Sequence, residues 1–251
     1  TRMSFEIAGK KMGAKVINLD ISLSSLKKGE SIIDTAKTIN AMSPDFVAIR
    51  HNSSGIVELL KKHIECSLIN AGDGTNEHPS QALLDCFIIK KYRQNLSGLK
   101  IAICGDVLHS RVARSNIKLL SKYGCKISVI TPPTLINQGF REWLGKNYQI
   151  EVFDNMSKGI AGVDIIMLLR IQQERMVGSY IPSLSEYFKL YGLDHDKIKF
   201  ANNPLIMHPG PINRGVEISS ELADDSKISL ILPQVSAGVA VRQAILKYLA
   251  K

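Results

Sequence analysis

The feature that most constrains this chain is a rhythm. Short apolar segments of strand length alternate with longer stretches whose apolar residues fall at helical spacing. Residues 14–19, 46–50, 66–70, 100–104, 126–131, 151–153 and 165–169 read as strands, and 200–207 leads into another. Residues 3–12, 31–43, 54–63, 80–92, 111–122, 140–146 and 234–249 read as helices. In the first of these, Phe5, Ala8 and Met12 stand at i, i+3 and i+7; in the last, Val241, Ala244, Ile245 and Tyr248 share one face. Such alternation builds parallel sheets with helices on their faces. Residues 94–98 carry neither pattern and read as a linker. The expected fold is therefore α/β, with two parallel-sheet three-layer α/β domains joined by interdomain helices. The expected boundaries are 1–93, 97–233 and a C-terminal helix, 234–251, packing back on the first domain. Two such halves place a cleft between them, and ligand sites favour domain interfaces and the carboxyl ends of parallel strands.

Composition removes several alternatives. Of 251 residues, 45% are hydrophobic and 22% charged, which is ordinary for a globular protein. The longest apolar runs, such as 165–169, are far too short for a bilayer. No leader pattern stands at the start, so a cytoplasmic location is expected. Cys66, Cys86, Cys104 and Cys125 are widely spaced and form no C-x-x-C pair, which argues for reduced thiols rather than a zinc site or disulfide framework. Lys and Arg total 32 against 23 Asp and Glu, a net charge of +9. The charges fall in scattered pairs such as Lys10-Lys11 and Lys61-Lys62, with no long basic run. That pattern permits small anionic ligands and gives no support to nucleic-acid or membrane binding.

Polar clusters follow five of the expected strands. They are Arg50-His51, the run from Asn76 to Gln81, Gly105-Asp106 through Ser110-Arg111, Arg170-Ile171-Gln172, and His208-Pro209-Gly210-Pro211. Taken singly, each has an ordinary explanation. An arginine after a strand is more often a surface ion pair, a lone histidine is more often structural, and the proline-rich run can be a rigid turn. Five together at strand ends point to a site. Gly105-Asp106 after a strand also suggests a dinucleotide fold, but Val107 and Ser110 break the G-x-G-x-x-G pattern.

The motifs resemble the aspartate/ornithine transcarbamoylase family. His-Pro-x-Gln at 78–81, Thr1-Arg2 leading into a helix, and Asn70-Ala71-Gly72-Asp73-Gly74 are similar to it. So are Gly105-Asp106 with Ser110-Arg111, Arg170-Ile171-Gln172 with Glu174-Arg175, and the run from His208 to Ile218. The likeness covers almost the whole chain. His208-Pro209-Gly210-Pro211 replaces the His-Cys-Leu-Pro turn of the ornithine branch, and no Ser-Met-Gly motif is present, so the aspartate branch fits better. The family carries Ser-Thr-Arg-Thr-Arg before its first-site helix, and this sequence opens on the second threonine. The expectation is a catalytic chain shortened at its N-terminus, with part of the phosphate cradle missing and activity impaired in a polypeptide that begins at Thr1.

The resemblance implies transfer of a carbamoyl group from carbamoyl phosphate to aspartate, an early step of pyrimidine (UMP) biosynthesis. The alternatives are a transcarbamoylase with another acceptor, ornithine-like, and a binding-only paralogue. Thr1, Arg50 and His78 would be catalytic and would bind carbamoyl phosphate together with Gln81 and the backbone carbonyls of Gly210 and Pro211. Arg111, Arg170, Gln172 and Lys28 would bind aspartate. Ser24 and Lys28 would reach a neighbouring subunit's site, which implies a homotrimer with shared sites and leaves a regulatory chain or higher assembly open. No metal or cofactor is implied.

Overall fold

The computed structural model describes residues 1–19, 31–172 and 180–250 of the protein. The chain divides into two compact units: residues 1–80 with 236–251, and residues 81–235. Ser24, Lys28, Glu174 and Arg175 lie outside the described residues.

In the first unit, α1 (Arg2–Lys11) and α2 (Ile32–Ala41) precede β1 (Phe46–His51), α3 (Ile56–Leu60) and β2 (Ser67–Asp73). β1 and β2 pair in parallel, with Phe46 opposite Ser67 and Ile49 opposite Asn70. Ser31 caps α2 by accepting from Asp34 N at 3.2 Å, an interaction typically worth about 1 kcal/mol. One face of this unit buries Ala36, Ile49, Ile56, Leu60 and Ile64. Another buries Phe5, Ile69 and Ala71 against Ile245 and Leu246 of the C-terminal helix.

Residues 14–19, expected as a strand, form none. Ile17 and Leu19 are 83% and 59% exposed. β-propensity expresses packing against neighbouring strands, and this apolar segment has no ladder partner among the described residues. The helix expected over 54–63 is shorter, because Gly55 takes a left-handed conformation at its start and only 56–60 is helical.

α4 (Pro79–Arg93) begins in the first unit and continues into the second. The second unit then runs β3 (Lys100–Cys104), α5 (Arg111–Lys122), β4 (Lys126–Ile130), α6 (Gln138–Tyr148), β5 (Glu151–Phe153) and α7 (Met156–Gly159). It continues with β6 (Ile165–Leu168), α8 (Leu184–Tyr191), β7 (Leu205–Met207) and α9 (Ser220–Asp224). α10 (Ile231–Leu249) starts here and ends in the first unit. The five strands form one parallel sheet in the order β5-β4-β3-β6-β7. Ile101, Ile103, Ile165 and Ile166 are wholly buried, as expected for central strands covered on both faces. All four cysteines are free; Cys86, Cys104 and Cys125 are buried, and burial pushes the Cys125 thiol up to about 11. No helix among the described residues is long and apolar enough to cross a membrane.

The order reverses between β3 and β6: β4 and β5 extend the sheet to one side, β6 and β7 to the other. In open parallel sheets ligands bind beyond the carboxyl ends at this reversal. The register brings Cys104 level with Leu168, so the loops after β3 and β6 leave side by side. Gly105 permits that approach. Its φ is +121°, and a β-carbon there would lie 2.8 Å from Leu169 O. Gly105→Ala should therefore cost about 2–4 kcal/mol, from a strained dihedral and an overpacked contact. Gly162→Ala, at φ +66° with open space around it, should cost about 1–2 kcal/mol. Urea unfolding of the two variants measures the difference.

Candidate active site

In the first unit, three of the expected site residues meet. Arg50 is the penultimate residue of β1, Thr1 is the N-cap of α1, and His78 follows β2 immediately before α4. Arg50 Nη1 donates to Thr1 Oγ1 at 2.9 Å, and Thr1 Oγ1 lies 3.3 Å from His78 Nε2. The other ring nitrogen of His78, Nδ1, lies 3.4 Å from Ser80 Oγ. His78 is buried and Arg50 exposed, so the guanidinium reaches solvent while the imidazole is held by its surroundings.

The loop that presents His78 is organised by Asp73. Its carboxylate accepts from Asn70 Nδ2 at 2.9 Å, Asn76 Nδ2 at 3.0 Å, Gly55 N at 2.7 Å and Glu77 N at 3.1 Å. Burial alone would raise this carboxyl, but those four donors outweigh it and hold it below its usual range. Gly74 belongs to the same device: a β-carbon there would lie 2.6 Å from Ser54 N. The Asn-Ala-Gly-Asp-Gly run is thus a loop-forming element placed just ahead of the histidine.

In the second unit, the loops after β3, β6 and β7 share one edge of the sheet. Ser110 caps α5, with its Oγ accepting from Ala113 N at 3.1 Å, and Arg111 is the first residue of that helix. Asp106, fully buried, accepts from His109 N at 3.1 Å and lies 3.0 Å from His109 Nδ1. After β6 come Arg170 and Gln172; Gln172 Nε2 donates to His109 O at 3.3 Å, joining the β6 loop to the β3 loop. Two arginines thus flank the reversal of the strand order.

Glu217 fixes the β6 loop from the other side. It accepts from Ile171 N at 2.9 Å and from Asn213 N and Nδ2 at 2.8 Å each. Burial raises this carboxyl, and the hydrogen bonds offset part of the rise. After β7, His208 Nδ1 accepts from Gly210 N at 2.9 Å. The ring proton therefore sits on Nε2, which faces Glu217 Oε2 at 3.9 Å without a hydrogen bond. The Gly210-Pro211 peptide is cis, and both residues are exposed. Gln81 is buried in the first turn of α4, where Nε2 donates to Asp85 Oδ1 at 2.9 Å. Asp85 was not among the residues singled out from sequence, and Glu217 entered only within the run from His208 to Ile218, without a role. The available signal for Asp85 was an acid on the buried face of an amphipathic helix, four residues after a site glutamine.

In each unit, arginines and other hydrogen-bond donors stand at the carboxyl ends of parallel strands, the edge where α/β proteins bind their ligands. Comparison with known proteins names the kind. A family model described as "Aspartate/ornithine carbamoyltransferase, carbamoyl-P binding domain" matches residues 1–91. A second, the "Asp/Orn binding domain" of the same enzymes, matches 97–249. The chain belongs to the aspartate/ornithine carbamoyltransferase family, and it is a carbamoyl-transferring enzyme. It is 57% identical over its whole length to the aspartate carbamoyltransferase catalytic subunit of Parvibaculum lavamentivorans, spanning 76% of that protein. It is 53% identical to the namesake of Methylorubrum populi, again over its whole length and spanning 78% of that relative. Among solved structures, aspartate transcarbamoylase from Trypanosoma cruzi in complex with N-(phosphonacetyl)-L-aspartic acid superposes with a TM-score of 0.84 at 28% identity, covering 98% of this chain and 78% of that one. The catalytic subunit of M. jannaschii aspartate transcarbamoylase gives a TM-score of 0.83 at 33% identity, covering 99% and 80%.

His208 carries a measurable consequence. Burial, with Arg170 nearby, lowers it from 6.5 to about 4. Between those values the unfolded chain binds the proton and the folded chain does not, so stability falls as pH drops from 6.5 toward 4 and is level above it. The contribution is on the order of 3 kcal/mol. His208→Asn keeps an acceptor for Gly210 N–H and cannot titrate. Its melting temperature should fall less than the parent's over this window in a pH series of thermal unfolding.

Proposed function

We propose that this chain catalyses attack of the L-aspartate amine on carbamoyl phosphate, giving N-carbamoyl-L-aspartate and phosphate, an early step of pyrimidine biosynthesis. The observation that carries the reading is the Arg50–Thr1–His78 cluster. Attack on the carbamoyl carbon builds negative charge on its oxygen, and phosphate departs with more. Such a transition state needs pre-oriented donors, each typically worth about 3–4 kcal/mol. Arg50 suits phosphate because its planar fork is always charged. Thr1 lends a hydroxyl, and His78 polarises the carbonyl. Gln81 and the carbonyls of Gly210 and Pro211 receive the carbamoyl NH₂, which sets carbamoyl phosphate apart from acetyl phosphate. In this reading residues 1–93 form the carbamoyl-phosphate domain, 97–233 the aspartate domain, and 234–251 a helix returning to the first.

Aspartate brings two carboxylates and needs two cationic clamps. Arg111 and Arg170 flank the strand reversal and fill that role, with Gln172 beside them. Holding the amine against the carbamoyl carbon makes the step nearly unimolecular, which can lower the barrier by about 7–11 kcal/mol. The chain is read as a cytoplasmic homotrimer in which Ser24 and Lys28 complete a neighbour's site. Relatives named aspartate carbamoyltransferase, and the likeness to the Trypanosoma cruzi aspartate transcarbamoylase complex, support the acceptor assignment.

Carbamoyl-aspartate formation by the full-length protein tests the reading. Arg50→Ala should lower kcat about 100- to 1,000-fold. Arg170→Ala should instead lower kcat/KM for aspartate about 100-fold or more, since it leaves a substrate carboxylate without its partner. Full activity in Arg170→Ala, or turnover with ornithine and none with aspartate, would sink the aspartate assignment.

A further inference from the structure

Asp85 is wholly buried, yet the reaction just described does not use it. Three side-chain amides converge on it. Gln81 Nε2 and Gln234 Nε2 donate to Oδ1 at 2.9 and 2.8 Å, and Asn116 Nδ2 donates to Oδ2 at 2.8 Å. Gln81 and Asp85 sit one helical turn apart on α4. A buried polar network of this kind is often no more stabilising than apolar packing of equal volume, so stability alone does not account for it.

Its chemistry does one thing apolar packing does not. In these three hydrogen bonds its oxygens accept, so the NH₂ end of each amide is the end that faces them. Gln81 turns its NH₂ to Asp85, and its Oε1 carbonyl points the other way. Gln234 does the same, and its Oε1 accepts from His208 N at 2.9 Å. His208 Nδ1 in turn accepts from Gly210 N. One carboxyl group therefore sets the amide of Gln81 and, through two further hydrogen bonds, the start of the turn that carries the Gly210 and Pro211 carbonyls.

We propose that Asp85 is a positioning residue for recognition of the carbamoyl NH₂. It holds Gln81 with its acceptor outward and steadies the 208–211 turn with its acceptors exposed, so that the substrate amide meets carbonyls only. This rests on the reading in which Gln81 and the two carbonyls receive that NH₂. Asp85 touches no substrate. It acts on selectivity by denying Gln81 the flipped orientation, in which an NH₂ would face the substrate's NH₂.

The readout is the ratio of the inhibition constant of acetyl phosphate to the KM of carbamoyl phosphate, measured on the full-length protein beside thermal unfolding. Acetyl phosphate carries a methyl group where the substrate carries NH₂, so the ratio reports the acceptors and not the phosphate. Asp85→Leu should lower it about 10-fold or more, mainly through a raised KM. In a Gln81→Ala background the same substitution should have a smaller effect, because part of its action runs through Gln81. Should Asp85→Leu not fold, Gln234→Met carries the test: it keeps the volume and cuts the link to His208 N–H, and it too should lower the ratio. A lowered melting temperature with an unchanged ratio in the variant that folds overturns the proposal, as do independent, fully multiplying effects of Gln81→Ala and Asp85→Leu. An unchanged ratio in Gln81→Ala removes the role of Gln81 and the proposal with it. A changed ratio there, with none in Asp85→Leu, removes the proposal alone.

Discussion

Parallel pairing of β3 with β6 is the constraint on which the second unit depends. In a parallel ladder every strand delivers its carboxyl end to the same edge, whatever the sequence of the loops that follow. The five-strand order adds a reversal at this pair, so the β3 and β6 loops leave the sheet together and then diverge. Arg111 and Arg170 are far apart in sequence and owe their common edge to this ladder. Gly105 is its steric condition, since a side chain there would push the Leu169 carbonyl away. The first unit repeats the arrangement on a smaller scale: Arg50 stands at the penultimate position of β1, and His78 follows its parallel neighbour β2.

Loops at strand ends need something to hold their shape, and here buried acids do it repeatedly. Asp73 gathers backbone and amide N–H groups ahead of His78. Glu217 ties the β6 loop to the segment around Asn213. Asp85 ties Gln81 to Gln234. Each loses hydration on burial and recovers it through several donors, which is costly unless the geometry is good. A carboxylate is suited to this because it accepts on several sides and donates on none, so each loop has one satisfied arrangement. In each unit the buried acids shape the loops on which the arginines and amides stand.

Much of this was legible in the sequence, and the reasons for the rest are specific. The α5 and β3 bounds match their expected ranges, because α5 carries a strong apolar period and β3 is a buried apolar run between Gly98 and Gly105. Residues 14–19 misled because alternation tests only whether one face is apolar, not whether a neighbour exists to pair with. α7 and α9 went unread because each is too short to show a period; α8 does show one, with Leu184, Tyr187, Phe188 and Tyr191 at i, i+3, i+4 and i+7. Their caps were visible all the same: Asn155, Ser183 and Ser219 each accept from a backbone N–H three residues on, and Ser183 with Glu186 has the spacing of a capping box. Strand-end clusters could be found because they are adjacent in sequence. The Asp85 network could not, because Gln81, Asn116, Gln234 and His208 lie on separate elements and meet only in the fold.

The two His-Pro motifs show how much the surroundings decide. Either reads alone as a structural histidine or as a catalyst. His208 receives Gly210 N–H on Nδ1, and an imidazolium could not accept that bond. Burial and the Arg170 charge both press the ring toward neutrality, so protonation would cost the turn its anchor as well as add like charge beside an arginine. That ring is committed to holding the turn. His78 has hydroxyls at both nitrogens, Thr1 on one side and Ser80 on the other. A hydroxyl donates or accepts as required, so either tautomer is accommodated and one nitrogen can turn its proton to a ligand oxygen. In the reading proposed above, that freedom lets His78, beside Arg50, turn a proton to the carbamoyl oxygen.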